Sequence, residues 1–393
     1  MTPPPTVSQP VRVDELDGLR GLLAFWVAVA HIFCWSGWWE IRLPGAVARL
    51  WKEFLGAGPA VDAFIILSGF AISFLLHKRQ QSYGEFMTGR FFRIYPVYVI
   101  CLGLGLATTW LMPFILQTAS WHETIFFDWM GSISASETAA PAAHLSWHAT
   151  LLHGLVPKQI LPDSTGTLLT PAWSISLEWQ YYLVAPLLAL LVRTGAGLLL
   201  VACLAWLGAR HAAPWMNPHP AFLPAQLPLF LIGIASYHLY VGFSAHSAGR
   251  SRRFTLPAAA LLAVALLVNW HPIALSVWAL GFGCIFAQGD DMFSRLLVLL
   301  RKFLLHPWLQ WLGKISFPLY LVHWPLLLLF LSALLRFHPT ATPLQSVLLL
   351  LFVGLPLILC AAVALHKSVE MPMMAYGKKM VRRNQPEGAA KTA

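Results

Sequence analysis

The sequence predicts an all-α protein: a polytopic bundle of about ten transmembrane helices with no soluble domain. Three observations carry this. Hydrophobic residues make up 58% of the 393 positions and charged residues only 11%, against roughly 25% charged in soluble domains. The mean hydropathy is +0.66. Apolar runs near the roughly 20 residues needed to cross a bilayer recur along the chain, separated by basic connections.

The spans are expected at 19–39, 55–76, 93–116, 171–192, 195–211, 222–241, 255–270, 272–288, 315–335 and 344–366, the fifth, seventh and eighth being short. Residues 1–18 carry Asp14, Glu15 and Asp17 and lack a basic region, so no cleavable signal is read there and the first helix is expected to remain. Segment 289–314 mixes charged and apolar residues and is expected along the membrane surface. The longest connection, 117–170, holds Trp121, His122, Trp129, His144, Trp147, His148 and His153, and is expected to be an outer loop that includes an interfacial helix and acts as a lid. Residues 374–393 read as a basic tail, disordered from 378. The domain reading is therefore 1–18, a membrane domain over 19–373, and that tail.

The net charge of +10 and pI near 9.6 do not indicate nucleic-acid binding. The basic residues lie between apolar runs, where they set membrane orientation. With the N-terminus inside, 20 of the 26 Lys and Arg fall inside and six (Arg42, Arg49, Lys52, Lys158, Arg210 and Arg336) outside. That bias predicts both termini in the cytoplasm. The five cysteines lie in separate apolar segments without CxxC spacing, so neither a disulfide framework nor a zinc site is expected.

Ionisable groups inside a bilayer are costly and mark function. At a rise of about 1.5 Å per residue, His31 falls about 18 Å from the inner end of its span, and Asp62 and Glu178 about 21 Å from theirs. His323 falls lower, at about 12 Å. A histidine beside a carboxylate suits proton removal from a hydroxyl. His31, Glu178 and Asp62 are therefore the candidate catalytic groups, with Glu178 or Asp62 orienting His31. At the inner boundary stand Arg20, Arg90 and Arg93, the last two on one helical face. Arginines so placed suit a phosphate-bearing ligand with a long thin arm, the shape of coenzyme A.

Six segments in order resemble one family. They are ELDGLRGLLAFWVAVAHIFCWS at 15–36, VDAFIILSGFAISFLL at 61–76, GRFFRIYPVY at 89–98, WSISLEWQYYLVAPLL at 173–188, GKISFPLYLVHWPLL at 313–327, and the closing Val369-Glu370-Met371-Pro372. Together they resemble the acyltransferase-3 family of integral membrane O-acyltransferases. Val322 stands where that family often has Trp, and Pro318 where Ser is common.

The resemblance implies an acyl-CoA donor, most often acetyl-CoA, entering from the cytoplasm, and no metal. It implies a sugar hydroxyl of a surface glycan, an exopolysaccharide or a lipid-linked precursor as acceptor, in a bacterial inner membrane beside membrane lipid and polysaccharide assembly proteins. By position, His31 matches the catalytic histidine, Arg20 its paired arginine, and Arg90 and Arg93 the donor-binding motif. Trp173, Ser176, Tyr181 and His323 fall to acceptor or supporting roles. Ser174 or Ser176 would stand near a developing oxyanion. Direct transfer and an acyl-enzyme intermediate both remain open. The alternatives are acylation of a small molecule or lipid and, from another class, a transporter, although inverted repeats and broken helices are not evident.

Overall fold

The computed structural model describes residues 13–38, 44–78, 81–217, 221–244, 272–287 and 291–383. Among these, fourteen helices follow in order. They are α1 (Asp14–Trp35), α2 (Gly45–Leu55), α3 (Gly58–Lys78), α4 (Tyr83–Thr108), α5 (Leu111–Thr118), α6 (Ile125–Ala139), α7 (Pro141–Ala149), α8 (Trp173–Leu191), α9 (Gly195–Leu207), α10 (Leu223–Ser244), α11 (Pro272–Gly283), α12 (Met292–Leu304), α13 (Pro307–Phe337) and α14 (Pro343–Arg383). The described residues contain no strand; Pro157 and Met216 form an isolated β-bridge. The all-α reading holds.

Six helices are long and apolar enough to cross a membrane: α1, α3, α4, α10, α13 and α14. They correspond to the first, second, third, sixth, ninth and tenth expected spans. The fourth is α8, 19 residues that carry Glu178 and Gln180 and fall outside those six. The fifth and eighth are the short apolar helices around α9 and α11. The seventh lies outside the described residues.

Several boundaries move, and each has a local cause. Ser82 caps α4 and forms a capping box with Glu85, so the helix starts ten residues before the expected 93. Pro307 occupies the first turn of α13, which therefore begins eight residues before the expected 315. The expected surface segment 289–314 is thus two elements. One is α12, capped by Asp291 and tied to α1 by the Arg301–Glu15 ion pair at 2.8 Å. The other is the first turns of α13.

Helix α14 passes through the expected boundary at 373 and corrects the disordered tail as far as Arg383; later residues lie outside the described part. Its 41 residues span about 60 Å, twice the bilayer's hydrocarbon thickness, so its basic end projects beyond the membrane. Within the expected loop 117–170, residues 125–149 form two helices, α6 and α7, a folded cap with more helix than the one interfacial helix expected there.

The most extensive pairing is α1 along α13. It depends on glycine. A Cβ on Gly21 would lie 2.5 Å from the Gly313 nitrogen, and one on Gly313 would lie 2.3 Å from the Asp17 carbonyl oxygen. Small residues allow such backbone approach in membrane bundles. Gly313→Ala is expected to force the two helices apart, costing about 1–3 kcal/mol. It should appear as a lower thermal midpoint in detergent than wild type, and an unchanged midpoint would contradict this packing.

Candidate active site

The α1–α13 contact sets the register of the site. His31 lies ten residues beyond Gly21, and His323 ten residues beyond Gly313. Two parallel helices touching at the glycines therefore bring the histidines level, about 15 Å further on. His31 Nδ1 stands 2.9 Å from His323 Nε2, the ring planes 8° apart. This corrects the lower position expected for His323. That estimate started the ninth span at 315, whereas the helix starts at Pro307.

The pair has a defined proton order. His323 Nδ1 is 3.1 Å from the Leu319 carbonyl oxygen, which only accepts. His323 therefore donates from Nδ1, and its neutral ring accepts at Nε2. His31 must then donate from Nδ1, which leaves its basic lone pair on Nε2. A carboxylate is not needed to set this tautomer. Trp324 packs its edge against His31, with ring centroids 5.1 Å apart, and His323 is fully buried.

Glu178 is engaged elsewhere, and this corrects its expected role beside His31. It accepts from Ser68 Oγ at 3.0 Å and from the Tyr182 hydroxyl. Asp62 lines a separate recess with Glu53, Gly58, Pro59 and Pro272. Ser68 lies six residues along α3 from Asp62, about 9 Å, so Glu178 and Asp62 do not share a level. The depth estimate assumed upright helices ending in common planes, and the staggered ends of α3 and α8 break that assumption.

Arg20, Arg90 and Arg93 do converge. They line one cavity of about 140 Å³ together with Ser68, Ser174, Glu178, Tyr182, Ser316 and Tyr320. Helices α1, α3, α4, α8, α10 and α13 all contribute to its wall. The volume is below the several hundred Å³ that enclose drug-sized ligands, so it suits a slender part of a larger one. Arg20 pairs with Asp17 at 2.8 Å and Arg93 with Glu370 at 2.5 Å. Arg90 sits over the Tyr182 ring, 5.6 Å from its centroid, and its buried Nε has no hydrogen-bond partner. A buried unpaired donor beside two further arginines has the chemistry to accept an anion.

Tyr320 joins the two halves. It lines the cavity, its hydroxyl is 2.7 Å from Ser174 Oγ and donates to the Pro171 carbonyl oxygen at 3.0 Å. Its ring centroid is 6.2 Å from that of His323, one turn further along α13. Tyr320 thus stands between the cavity and His323, while neither His31 nor His323 lines the cavity.

Three expected supporting residues face elsewhere. Ser176 is buried, accepting from the Gly154 amide at 3.1 Å and from Gln180 at 3.4 Å. Tyr181 stacks on Phe230 with centroids 4.0 Å apart and borders a different small cavity. Trp173 is buried outside the cavity wall. Sequence reasoning missed Tyr182, Tyr320 and Ser68. Tyr182 carried a usable signal, since it lies four residues after Glu178 on the same helical face. Among the described residues, no group of three or more His, Cys, Asp or Glu side chains is arranged to hold a metal ion.

The cap holds a second polar cluster. His144, His148 and His153 are fully buried. His148 stacks on His153 with centroids 3.8 Å apart and bonds the Ser164 carbonyl oxygen at 3.0 Å. Thr167 Oγ1 bridges His144 and His148 at 3.0 and 3.3 Å. Burial pushes His148 down to about 3, and burial with the neighbouring His148 pushes His153 well below its ordinary value. The packed cap therefore keeps His148 neutral, whereas an opened cap takes up a proton below about pH 6.5. Cap stability is fully present above that pH and declines as pH falls toward 3, by about 2 kcal/mol at pH 5 for His148 alone. Hydrogen-exchange protection across 141–170 should drop between pH 7.5 and pH 5; equal protection factors would contradict this reading.

The sequence profile of the acyltransferase-3 family, described as an acyltransferase domain, matches residues 13–367. The chain belongs to the acyltransferase-3 family. Acyltransferase MdmB from Streptomyces mycarofaciens is 29% identical over 192 residues, covering 48% of this chain and 42% of that protein. Protein 2 in picA locus from Rhizobium radiobacter is 31% identical over 106 residues, covering 25% of this chain and 46% of that protein. The chain thus spans less than half the length of these relatives. No solved structure matches it. The chain thus carries an acyltransferase-3 domain over residues 13–367 and, among the described residues, six helices long and apolar enough to cross a membrane.

Proposed function

We propose that the protein moves an acetyl group from cytoplasmic acetyl-CoA to a sugar hydroxyl of a surface glycan, an exopolysaccharide or its lipid-linked precursor. The observation that carries this reading is that Tyr320, in the wall of the arginine-lined cavity, packs against His323, the partner of His31. Phosphates of the donor pair with Arg90, Arg93 and Arg20, and the pantetheine arm extends along the cavity past Ser174 and Tyr320. About 16 Å separates Arg20 from His31 along α1, a gap that an extended thin arm crosses and a compact donor does not.

His31 Nε2 then takes the proton of the acceptor hydroxyl. The oxygen forms a bond to the thioester carbonyl carbon, the carbon–sulfur bond breaks, and the coenzyme leaves as a thiolate that takes up a proton. His323 fixes the tautomer that makes His31 a base and stabilises the imidazolium by accepting from its Nδ1. Ser174 and Tyr320 lie beside the path of the thioester carbonyl, their hydroxyls bonded to each other and to the Pro171 carbonyl oxygen. The arginine end faces the cytoplasm in this reading, supported by the 20:6 distribution of basic residues, in a bacterial inner membrane.

The acceptor is tested by mass analysis of surface polysaccharide from a strain with the gene removed and one with it restored. Loss of O-acetyl groups on removal and their return on restoration is the expected result. Unchanged acetyl content would overturn the glycan assignment in favour of a small-molecule or lipid acceptor.

A further inference from the structure

The last long helix reaches back to the arginine cavity through one buried carboxylate. Glu370 has no solvent exposure. Its Oε1 forms an ion pair with Arg93 Nη1 at 2.5 Å, at an angle outside hydrogen-bond range. Its Oε2 lies 2.6 Å from His366 Nδ1. Arg93 Nη1 also contacts Met374 Sδ at 3.2 Å. All three partners sit on α14, where residues His366–Glu370 form a π-turn, a local widening frequent at functional positions. The neighbouring turn is pinned to α4. A Cβ on Gly377 would lie 2.8 Å from Phe92 Cβ, and Tyr376 packs edge-on against Phe92 at 5.4 Å.

We propose that Glu370, held in place by His366, is a positioning residue for Arg93. This rests on the reading that the cavity takes the phosphate-bearing donor. Three guanidinium groups sharing one wall repel one another. The carboxylate holds one end of Arg93, cancels its share of that repulsion, and leaves its remaining N–H donors for an anion in the cavity. A buried carboxylate on a membrane helix is costly without such a partner, and the helix has to widen locally to present it. Glu370 belongs to the closing Val-Glu-x-Pro segment of the sequence, to which the catalytic reading gives no other task.

The test uses the full chain in lipid nanodiscs with acetyl-CoA as the probe, reading the dissociation constant by calorimetry and the unliganded thermal midpoint. Glu370→Gln, nearly isosteric but uncharged, should raise the acetyl-CoA dissociation constant about tenfold with the midpoint within a few degrees of wild type. The pair Arg93→Ala/Glu370→Gln should bind no worse than Arg93→Ala alone, because both changes remove one unit of interaction. Unchanged binding in Glu370→Gln, or additive losses in the pair, would overturn the positioning role. If Arg93→Ala weakens acetyl-CoA binding and Glu370→Gln does not, this inference alone fails. If Arg93→Ala also binds as wild type, the donor reading of the cavity fails, and the inference with it.

Discussion

Replacing His31 with alanine is expected to lower acyl transfer by about 10²- to 10⁴-fold, the contribution of a positioned general base, while leaving acetyl-CoA binding intact. The separation follows from the geometry. His31 pairs with His323 beyond the Tyr320 wall, and the arginines that would seat the donor lie at the other end of the cavity. The change removes a side chain that packs on His323 and Trp324 but touches none of the glycines that hold α1 against α13. Transfer of radiolabelled acetyl groups from acetyl-CoA in reconstituted membranes measures the rate, and equilibrium binding of the same donor measures the seat. Retained transfer in His31→Ala would remove His31 from the chemistry.

Replacing Arg90 with alanine should have the opposite signature: acetyl-CoA affinity falls about 10- to 100-fold, as expected for a lost charge-assisted contact. Arg90 is chosen over its neighbours because Arg20 and Arg93 already hold carboxylates, whereas the buried Arg90 Nε has no hydrogen-bond partner. Arg90→Lys should recover only part of the affinity, since an ammonium lacks the planar fork and the face that rests on Tyr182. Calorimetry with acetyl-CoA checks both variants. Full affinity in Arg90→Ala would show that the anion seat lies elsewhere.

The all-α class and the six long apolar helices were legible because hydropathy and length are local properties of the chain. The Arg90–Arg93 pair was legible too, since residues three apart on one helical face stay together whatever the tilt, and placing Arg20 at the same membrane boundary added the third. The histidine pair was half legible. His31 and His323 were both singled out, but their contact depended on where α13 begins, which a proline and a cap at 306–307 decide rather than hydropathy. The assignment of Glu178 and Asp62 to His31 failed for a related reason. Depth counted along idealised helices says nothing about which face meets which, and Glu178 turns toward Ser68 and Tyr182 instead. The cap was legible only as an interfacial helix, because the side-chain bonds among His144, His148, Ser164 and Thr167 that fold it have no sequence period.

The central claim is that one continuous site carries the donor from the arginines to His31. Structure determination of the complex with a thioether analogue of acetyl-CoA, which binds but cannot transfer its acyl group, tests it most directly. The expected complex has the phosphates against Arg20, Arg90 and Arg93 and the sulfur beside Tyr320, with the acyl end toward His31 Nε2. An analogue seated away from the arginines, or one whose acyl end points away from His31, would contradict it.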